Sequence, residues 1–430
     1  MLPDSTFLIP KLSPGFEATV TLPGSKSIAL RQLAIAALVE GTSHITGIPK
    51  CDDTDAMIDC LRALGVAIDE DTSGTRITGP MDFGSGHVEL NCRMSGASTR
   101  LLIALAALRN GSTRIDGHES LRVRTNAPLF EVLRDNGCDV TSDAGTLPAV
   151  IHGGLTSNGP LHIDGSLSSQ YITALTVIAP ILARRKALPT QGIHIHGDLV
   201  SRPYIDITLN EMGKRSVVGK WVDDTVLSLP AADYQPGEFF IEGDASAASY
   251  FLALATLHAG RVTLTNLDET TVQGDYLFCD VMESLGATVE RQAQTRITGP
   301  KQLLPLRRID MQEMPDVALT LIAMSPLLAE PIEITGLQSL HYKECDRLEC
   351  PATEMRAMGI ELSTTRDSIV VSPLGKLEPE IHTLNTYHDH RMAMAFATLA
   401  SAHGTLTIDD KAVVNKTYPA FWDDYERLQS

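Results

Sequence analysis

Apolar and polar positions recur along this chain with a period of roughly seventy residues, six times over. A repeat of that length is read first, because each copy is then one supersecondary unit packed on its neighbours. Each copy opens with a short polar turn and a helical run rich in Ala and Leu, at 27–39, 98–108, 169–182, 246–257, 316–328 and 390–402. Gly41, Gly111, Gly260 and Gly404 stand where a left-handed C-cap is expected, and β-rich runs follow at 43–46, 261–264 and 405–408. A second helix comes next, with Met57, Leu61 and Leu64 at helical spacing in the first copy, and it ends at a second glycine before another strand. Gly65, Gly137, Gly213, Gly286 and Gly359 mark five such ends, about seventy-three residues apart.

Six β-α-β-α-β units predict an α/β protein of two domains with three units each, since a single core stops growing at roughly 250 to 300 residues. The acidic, Pro-containing segment 230–244 is the expected join. Helix starts facing a common centre would gather unpaired N–H groups and positive dipole ends, so an anion site between the domains is expected.

Composition narrows the ligand. The formal charge of -18 over 430 residues excludes a broad basic face for nucleic acid or an anionic membrane, so any anion must be met by a local cluster of Lys and Arg. The longest apolar runs, 101–108 and 171–182, are too short to span a bilayer. Residues 1–23 have neither a signal core nor a transit-like composition, and a cytoplasmic location is expected. Seven cysteines without a C-x-x-C pair predict neither a disulfide framework nor a zinc site. Cys345 and Cys350, five apart among charged residues, are read as reduced thiols without assigned chemistry.

Lys26, Arg100 and Arg391 fall at or near the starts of their helices, where the dipole disfavours a cation, and three equivalent placements point to an anion. The LPGSKS run at 22–27 lacks the spacing of a nucleotide phosphate loop, leaving a glycine for close approach, two hydroxyls and an ammonium. Ser168, Ser169 and Gln170 give a comparable polar start, readable as an N-cap or as ligand contacts. Asp316 after Pro315 is a cap or an acid/base group, and Glu344 either pairs with Arg347 across one turn or carries a proton. The run 388–391, HDHR, lacks a third ligand in a defined frame, so no metal site is expected.

Together these residues resemble the 5-enolpyruvylshikimate-3-phosphate synthases of the enolpyruvyl transferase family. The matching segments are LPGSKS at 22–27 with Arg31, SGAST at 95–99 with Arg100, DGSLSSQ at 164–170, GDLVSRPYIDIT at 197–208, EGDASAASYF at 242–251, PDVALT at 315–320, KECDRL at 343–348, DHRMAMAF at 389–396 and NKTYPAFW at 415–422. The resemblance implies a two-domain inside-out α/β barrel of three β-α-β-α-β-β repeats per domain, 24–242 and 1–23 plus 243–430, with the active site in the cleft between them. It implies a shikimate-pathway step toward chorismate and the aromatic amino acids: the enolpyruvyl group of phosphoenolpyruvate moves to the 5-hydroxyl of shikimate 3-phosphate, without metal or organic cofactor.

Carried over by motif, Lys26, Gly96, Arg124, Gln170, Arg347, Arg391 and Lys416 would bind phosphoenolpyruvate. Lys26, Ser27, Arg31, Ser168, Ser169, Gln170, Ser201, Asp316, Ser339 and Lys343 would bind shikimate 3-phosphate. Asp316 would take the proton of the attacking hydroxyl, and Glu344 with Lys26 would protonate the methylene carbon. Leu30, Met94 and Ser339 depart from amides usual in the family, and Ala97 and Leu101 replace a common Thr and Pro, which keeps a related transferase acting on another cyclic alcohol as the alternative. The stretch 115–126 contains no Cys, which disfavours a UDP-N-acetylglucosamine enolpyruvyl transferase. The acidic charge disfavours an RNA 3′-terminal phosphate cyclase, and the intact set of charged residues disfavours a non-catalytic scaffold. With few aromatic residues, a monomer is expected.

Overall fold

The structure is a computed structural model that describes residues 6–155, 159–375 and 382–429. The first five residues of the 1–23 segment, read above for a leader and as part of the second domain, lie outside the described residues. The chain divides into two compact units, Gly24–Ile241 and Met1–Pro23 with Glu242–Ser430.

One sheet pattern recurs through both units, in five of the six sheets of the described residues. Val88–Asn91 runs parallel to Ser112–Asp116 with the Gly96–Ala107 helix as the crossover. Ala149–His152 then adds antiparallel, and Asp139–Ser142 forms the edge. Leu161–Asp164, Thr190–His196, Val226–Pro230 and Lys220–Trp221 repeat this order, as do Arg308–Asp310, Ile332–Thr335, Ile369–Val371 and Leu362–Thr364. One sheet of each unit takes its parallel partner from far along the sequence: Glu238–Phe240 lies beside Gly41–Thr46, and Glu17–Val20 beside Arg261–Leu264. In the remaining sheet His382–Leu384 runs parallel to Leu406–Ile408, and Phe7–Leu8 closes its other edge antiparallel.

The helices Lys26–Ala36, Gly96–Ala107 and Ser169–Arg185 fill the middle of one unit; Ala245–Leu257, Pro315–Met324 and His390–Ala400 fill the other. Their composition dictates this position. In Gly96–Ala107 every residue except Ala97 is buried, and a helix without a polar face is stable only when other elements surround it. The hydroxyls they carry are satisfied locally, as Thr99, Thr176 and Thr256 donate to the carbonyls of Ser95, Ile172 and Leu252, each at 2.8 Å. Outer helices are amphipathic: Ala127–Asp135 turns Leu129, Phe130, Val132 and Leu133 inward. Each unit is thus an inside-out α/β barrel with its own apolar core.

Two of the four glycines expected as left-handed caps serve otherwise, and one of the five expected to end a second helix does so without a positive φ. Gly213 ends the Pro203–Gly213 helix without positive φ, and Ser216 at φ 66° makes the left-handed turn. A Cβ on Gly111 would lie 2.2 Å from the Gly86 carbonyl oxygen, and one on Gly260 would meet the Phe16 ring at 2.9 Å while Ala259 takes φ 50°. Close packing, not backbone handedness, requires glycine at those two positions.

Candidate active site

Within Gly24–Ile241, Lys26 opens the first inner helix and its ammonium lies 3.0 Å from Asp53 Oδ2. Asp53 sits in the first turn of the Asp52–Ala63 helix, and its backbone carbonyl accepts from Ser98 Oγ at 3.3 Å. This joins Lys26 to the next inner helix, where Ser98 and Ser95 hydroxyls share a 2.7 Å bond. Neither Ser25 nor Ser95 makes the side-chain capping bond that serine normally supplies at its position, nor does Met314 at the Pro315–Met324 helix.

Gly96 lies directly under a guanidinium. A Cβ there would sit 2.5 Å from Arg124 Nη1 and 2.8 Å from Arg100 Nη1. Arg100, expected from its position to face an anion, instead donates to the Gly96 carbonyl at 2.9 Å and the Thr125 carbonyl at 3.1 Å. Tyr171 OH also donates to Thr125, at 2.8 Å, so the loop carrying Arg124 is fastened to two inner helices. Arg124 Nε is buried and has no partner among the described residues, as expected of a group that waits for a ligand.

The other expected residues of this unit lie on or beside the Lys26–Ala36, Ser169–Arg185 and Pro203–Gly213 helices. Ser168 caps the Ser169–Arg185 helix by accepting from the Gln170 amide at 3.2 Å; Ser169 is buried and Gln170 half-buried. Ser201 is held at φ 56° in the turn before the Pro203–Gly213 helix. Ser27 is half-buried, and its carbonyl accepts from Arg31 Nη1 at 2.7 Å. Arg31 is consumed internally as well, donating to Thr208 Oγ1 at 2.8 Å, Thr173 Oγ1 at 3.3 Å and the Tyr204 carbonyl at 2.8 Å, and burial lowers its pKa to about 10. Leu30 is wholly buried in the core, so a leucine there fits packing rather than a lost ligand contact. Gly24 leaves room for the Gly47 carbonyl, 1.8 Å from a hypothetical Cβ, and not for a ligand. Met94 lines an open cavity of about 460 Å³ with Asn91, Arg93 and Arg122.

In the other unit the charged residues converge. Asp316, in the first turn of its helix, accepts from Lys343 at 2.9 Å and Arg347 Nη1 at 3.4 Å on Oδ1, and from Arg391 Nη2 at 3.3 Å on Oδ2. Burial opposes its charge, yet Lys343, Arg391 and Arg347 outweigh that and hold the carboxyl well below the ordinary range. Glu344 takes Arg347 Nη2 at 2.8 Å on one oxygen and Lys416 at 2.7 Å on the other. Arg347 is therefore shared between both acid/base candidates. Its far edge is gripped by Asp389, with Nε to Oδ2 at 2.7 Å and Nη2 to Oδ1 at 3.0 Å. Asp389 Oδ1 also caps the next helix by accepting from the Arg391 amide at 2.9 Å.

The loop carrying Lys343 and Glu344 is pinned by His341, whose ring bonds Asp346 Oδ2 and the Arg366 carbonyl, each at 2.8 Å. Ser339 is buried one turn earlier, in Gln338–Tyr342. Beneath the cluster, Asp275 is buried and accepts from Ser246 Oγ. Burial and the Asp316 charge push Asp275 up to about 6, against the pull of Arg391. Burial raises the Tyr250 hydroxyl to about 12 while Arg391 and Arg347 oppose it.

Asp53 and Asp275 are not singled out by the sequence, and Asp389 is read there only within the HDHR run and the DHRMAMAF match. Asp389 carried a signal, standing directly before an apolar helix; Asp53 and Asp275 acquire meaning only from cations and hydroxyls distant in sequence. Among the described residues no group of three His, Cys, Asp or Glu side chains gathers to hold a metal ion, and no helix is long and apolar enough to cross a membrane.

Residues 13–425 match the family EPSP synthase (3-phosphoshikimate 1-carboxyvinyltransferase). A 3-phosphoshikimate 1-carboxyvinyltransferase from Erwinia tasmaniensis is 36% identical over 422 residues, covering 96% of each chain. One from Trichormus variabilis is 32% identical over 430 residues, covering 98% of this chain and 99% of that protein. A solved EPSP synthase from Acinetobacter baumannii has the same fold, with a TM-score of 0.76 at 23% identity over 99% of this chain and 98% of its own. A match of this extent, with relatives this similar along nearly their whole length, means that the chain belongs to the EPSP synthase (3-phosphoshikimate 1-carboxyvinyltransferase) family.

Proposed function

We propose that this protein transfers the enolpyruvyl group of phosphoenolpyruvate to the 5-hydroxyl of shikimate 3-phosphate and releases phosphate, with Asp316 and Glu344 moving the protons. The observation that carries the residue assignment is the sharing of Arg347 by both carboxylates. Carboxylates so heavily paired are stable anions and weak proton carriers, whereas the substrates bring a phosphate and a carboxylate each. When those anions engage Lys343, Arg347, Arg391 and Lys416, they withdraw cationic partners from Asp316 and Glu344. Both groups then regain basicity where it is needed.

Glu344, with Lys26, protonates the methylene carbon of phosphoenolpyruvate and makes its neighbour electrophilic. The 5-hydroxyl adds there while its proton passes to Asp316, giving a tetrahedral adduct. Loss of a proton from the new methyl group expels phosphate and restores the double bond. Arg124, above Gly96, and Arg347, Arg391 and Lys416 stabilise the departing charge. Ser27, Arg31, Ser168, Ser169, Gln170, Ser201, Ser339 and Lys343 complete the reading as contacts to shikimate 3-phosphate, Arg31 chiefly by holding the first inner helix in place. The named relatives favour shikimate 3-phosphate over another cyclic alcohol. We read the protein as a cytoplasmic monomer without a cofactor.

The test is phosphate release and product mass with phosphoenolpyruvate and either shikimate 3-phosphate or shikimate. Turnover with the 3-phosphate, and its loss in Asp316→Ala and Glu344→Ala, supports the reading. Turnover of equal efficiency with shikimate would overturn the substrate assignment.

A further inference from the structure

His341 stands in the Gln338–Tyr342 turn, half-buried, two residues before Lys343 and three before Glu344. Its Nδ1 lies 2.8 Å from Asp346 Oδ2, and its Nε2 lies 2.8 Å from the Arg366 carbonyl oxygen. Neither partner has a proton to give. A backbone carbonyl only accepts, and Asp346 is an anion. Burial opposes the Asp346 charge, yet the Glu349 amide, the His341 ring and the Leu348 amide outweigh that and hold the carboxyl below the ordinary range. A neutral imidazole carries one N–H, whereas two acceptors at hydrogen-bond distance require two, so this ring is an imidazolium. Its surroundings favour the same form. Burial disfavours the cation, but the bonds to Asp346 and the Arg366 carbonyl, with the charges of Asp346 and Glu349, prevail and hold its pKa above the ordinary 6.5. Glu349 opens the Glu349–Ala357 helix and is itself paired with Arg356 at 3.5 Å; the turn between Leu362–Thr364 and Ile369–Val371 presents the Arg366 carbonyl to the ring.

We propose that His341 is a positioning residue for the proton transfers, a two-armed clamp on the loop of Lys343 and Glu344 that holds only while both ring nitrogens carry protons. One arm closes the loop on itself, from His341 to Asp346; the other ties it to the turn that follows Leu362–Thr364, 25 residues away. When solvent takes one ring proton, the remaining N–H stays with the carboxylate, since a charged acceptor makes the stronger bond. Nε2 then turns a lone pair toward the Arg366 carbonyl oxygen, and that tie is lost. The Leu337 amide still donates to the Asp367 carbonyl at 2.9 Å, so the Gln338–Tyr342 turn keeps an anchor while the loop beyond it shifts. Lys343, 2.9 Å from Asp316, moves with it, as does Glu344, 2.8 Å from Arg347 and 2.7 Å from Lys416. Because the folded pKa is the higher one, the clamp is complete below 6.5 and is lost as pH rises through the folded value. The effect on turnover rests on the reading of Lys343 and Glu344 as active-site groups.

The test follows the imidazole nitrogens of the full-length protein by NMR with isotope-labelled histidine, using His341→Arg to assign the signal, and measures turnover over the same range, about pH 6–9. The expected ring carries protons on both nitrogens at about pH 6.5 and titrates above that value, and wild-type kcat falls in step by roughly tenfold or more. His341→Arg, with a fixed charge and several N–H donors, should retain its low-pH turnover into the alkaline range. His341→Gln, uncharged at every pH and with one amide group that cannot span both acceptors, should be slow throughout and lack this limb. Other ionisations of enzyme and substrate are common to all three proteins. A His341 ring that is neutral at about pH 6.5 would overturn the proposal, as would an alkaline fall of the same size and midpoint in wild type and His341→Arg, or full low-pH turnover in His341→Gln. Turnover of the wild type at low pH tests the functional reading separately, and the ring titration does not depend on it.

Discussion

Asp316 and Asp275 are carboxylates in one cluster that are driven in opposite directions. Three cations hold Asp316 ionised, whereas burial and the Asp316 charge favour the neutral form of Asp275. Asp316 therefore contributes stability above its unfolded pKa of 3.8, lost only as pH falls through its lower folded value. For Asp275 the sign reverses: its contribution is full below 3.8 and is lost as pH rises to about 6. Asp275→Asn should gain about 2–3 kcal/mol on the wild type between pH 4 and pH 7, read from melting curves at both values. A difference independent of pH would count against the assignment. Asp316→Asn and Glu344→Gln should lower kcat by about 10²–10⁴ while still binding shikimate 3-phosphate, as measured by phosphate release and calorimetry. Gly96→Ala sets a methyl group 2.5 Å from Arg124 Nη1, so the guanidinium must move. KM for phosphoenolpyruvate should rise about tenfold or more, with a smaller change in kcat.

At the scale of elements, the sequence reading succeeds where a signal is local. Ala- and Leu-rich runs became the six inner helices because no side of such a run tolerates water. It fails where handedness and packing compete for glycine, as at Gly111 and Gly260, and where a charge finds its partner far away. Arg100 reads as an anion ligand by position, yet two carbonyls claim it, one of them 25 residues distant. Asp389 and Arg347 are 42 residues apart, so nothing in either segment announces the clamp. Asp389→Asn removes the charge from this clamp but preserves the helix cap, since an amide oxygen still accepts from the Arg391 amide. Turnover should fall by at least about tenfold, with a loss of stability of about 1–3 kcal/mol by urea unfolding. Unchanged kinetics would show that Arg347 does not depend on Asp389.

For the whole molecule, the sixfold period made two cores of three units legible, because each unit can bury its apolar faces only against others. Sequence spacing does not reveal that one sheet of the first unit and two of the second are completed by distant strands. Residues 1–23 supply both Phe7–Leu8 and Glu17–Val20 to the unit formed mainly by 242–430. Removing 1–23 should expose the backbone amides of Arg261–Leu264 and Leu406–Ile408 to rapid hydrogen exchange, while Gly41–Thr46, paired with Glu238–Phe240, stays protected. Equal exchange in both sets would contradict the division into two separately built cores.

The central claim is that enolpyruvyl transfer proceeds by protonation of the methylene carbon, with Glu344 in the proton path. Turnover in deuterium oxide, followed by mass analysis of the enolpyruvyl product, tests it most directly. Passage through a methyl group predicts deuterium in the product methylene, with labelled product formed far more slowly by Glu344→Gln. A product formed at full rate without deuterium would contradict the account.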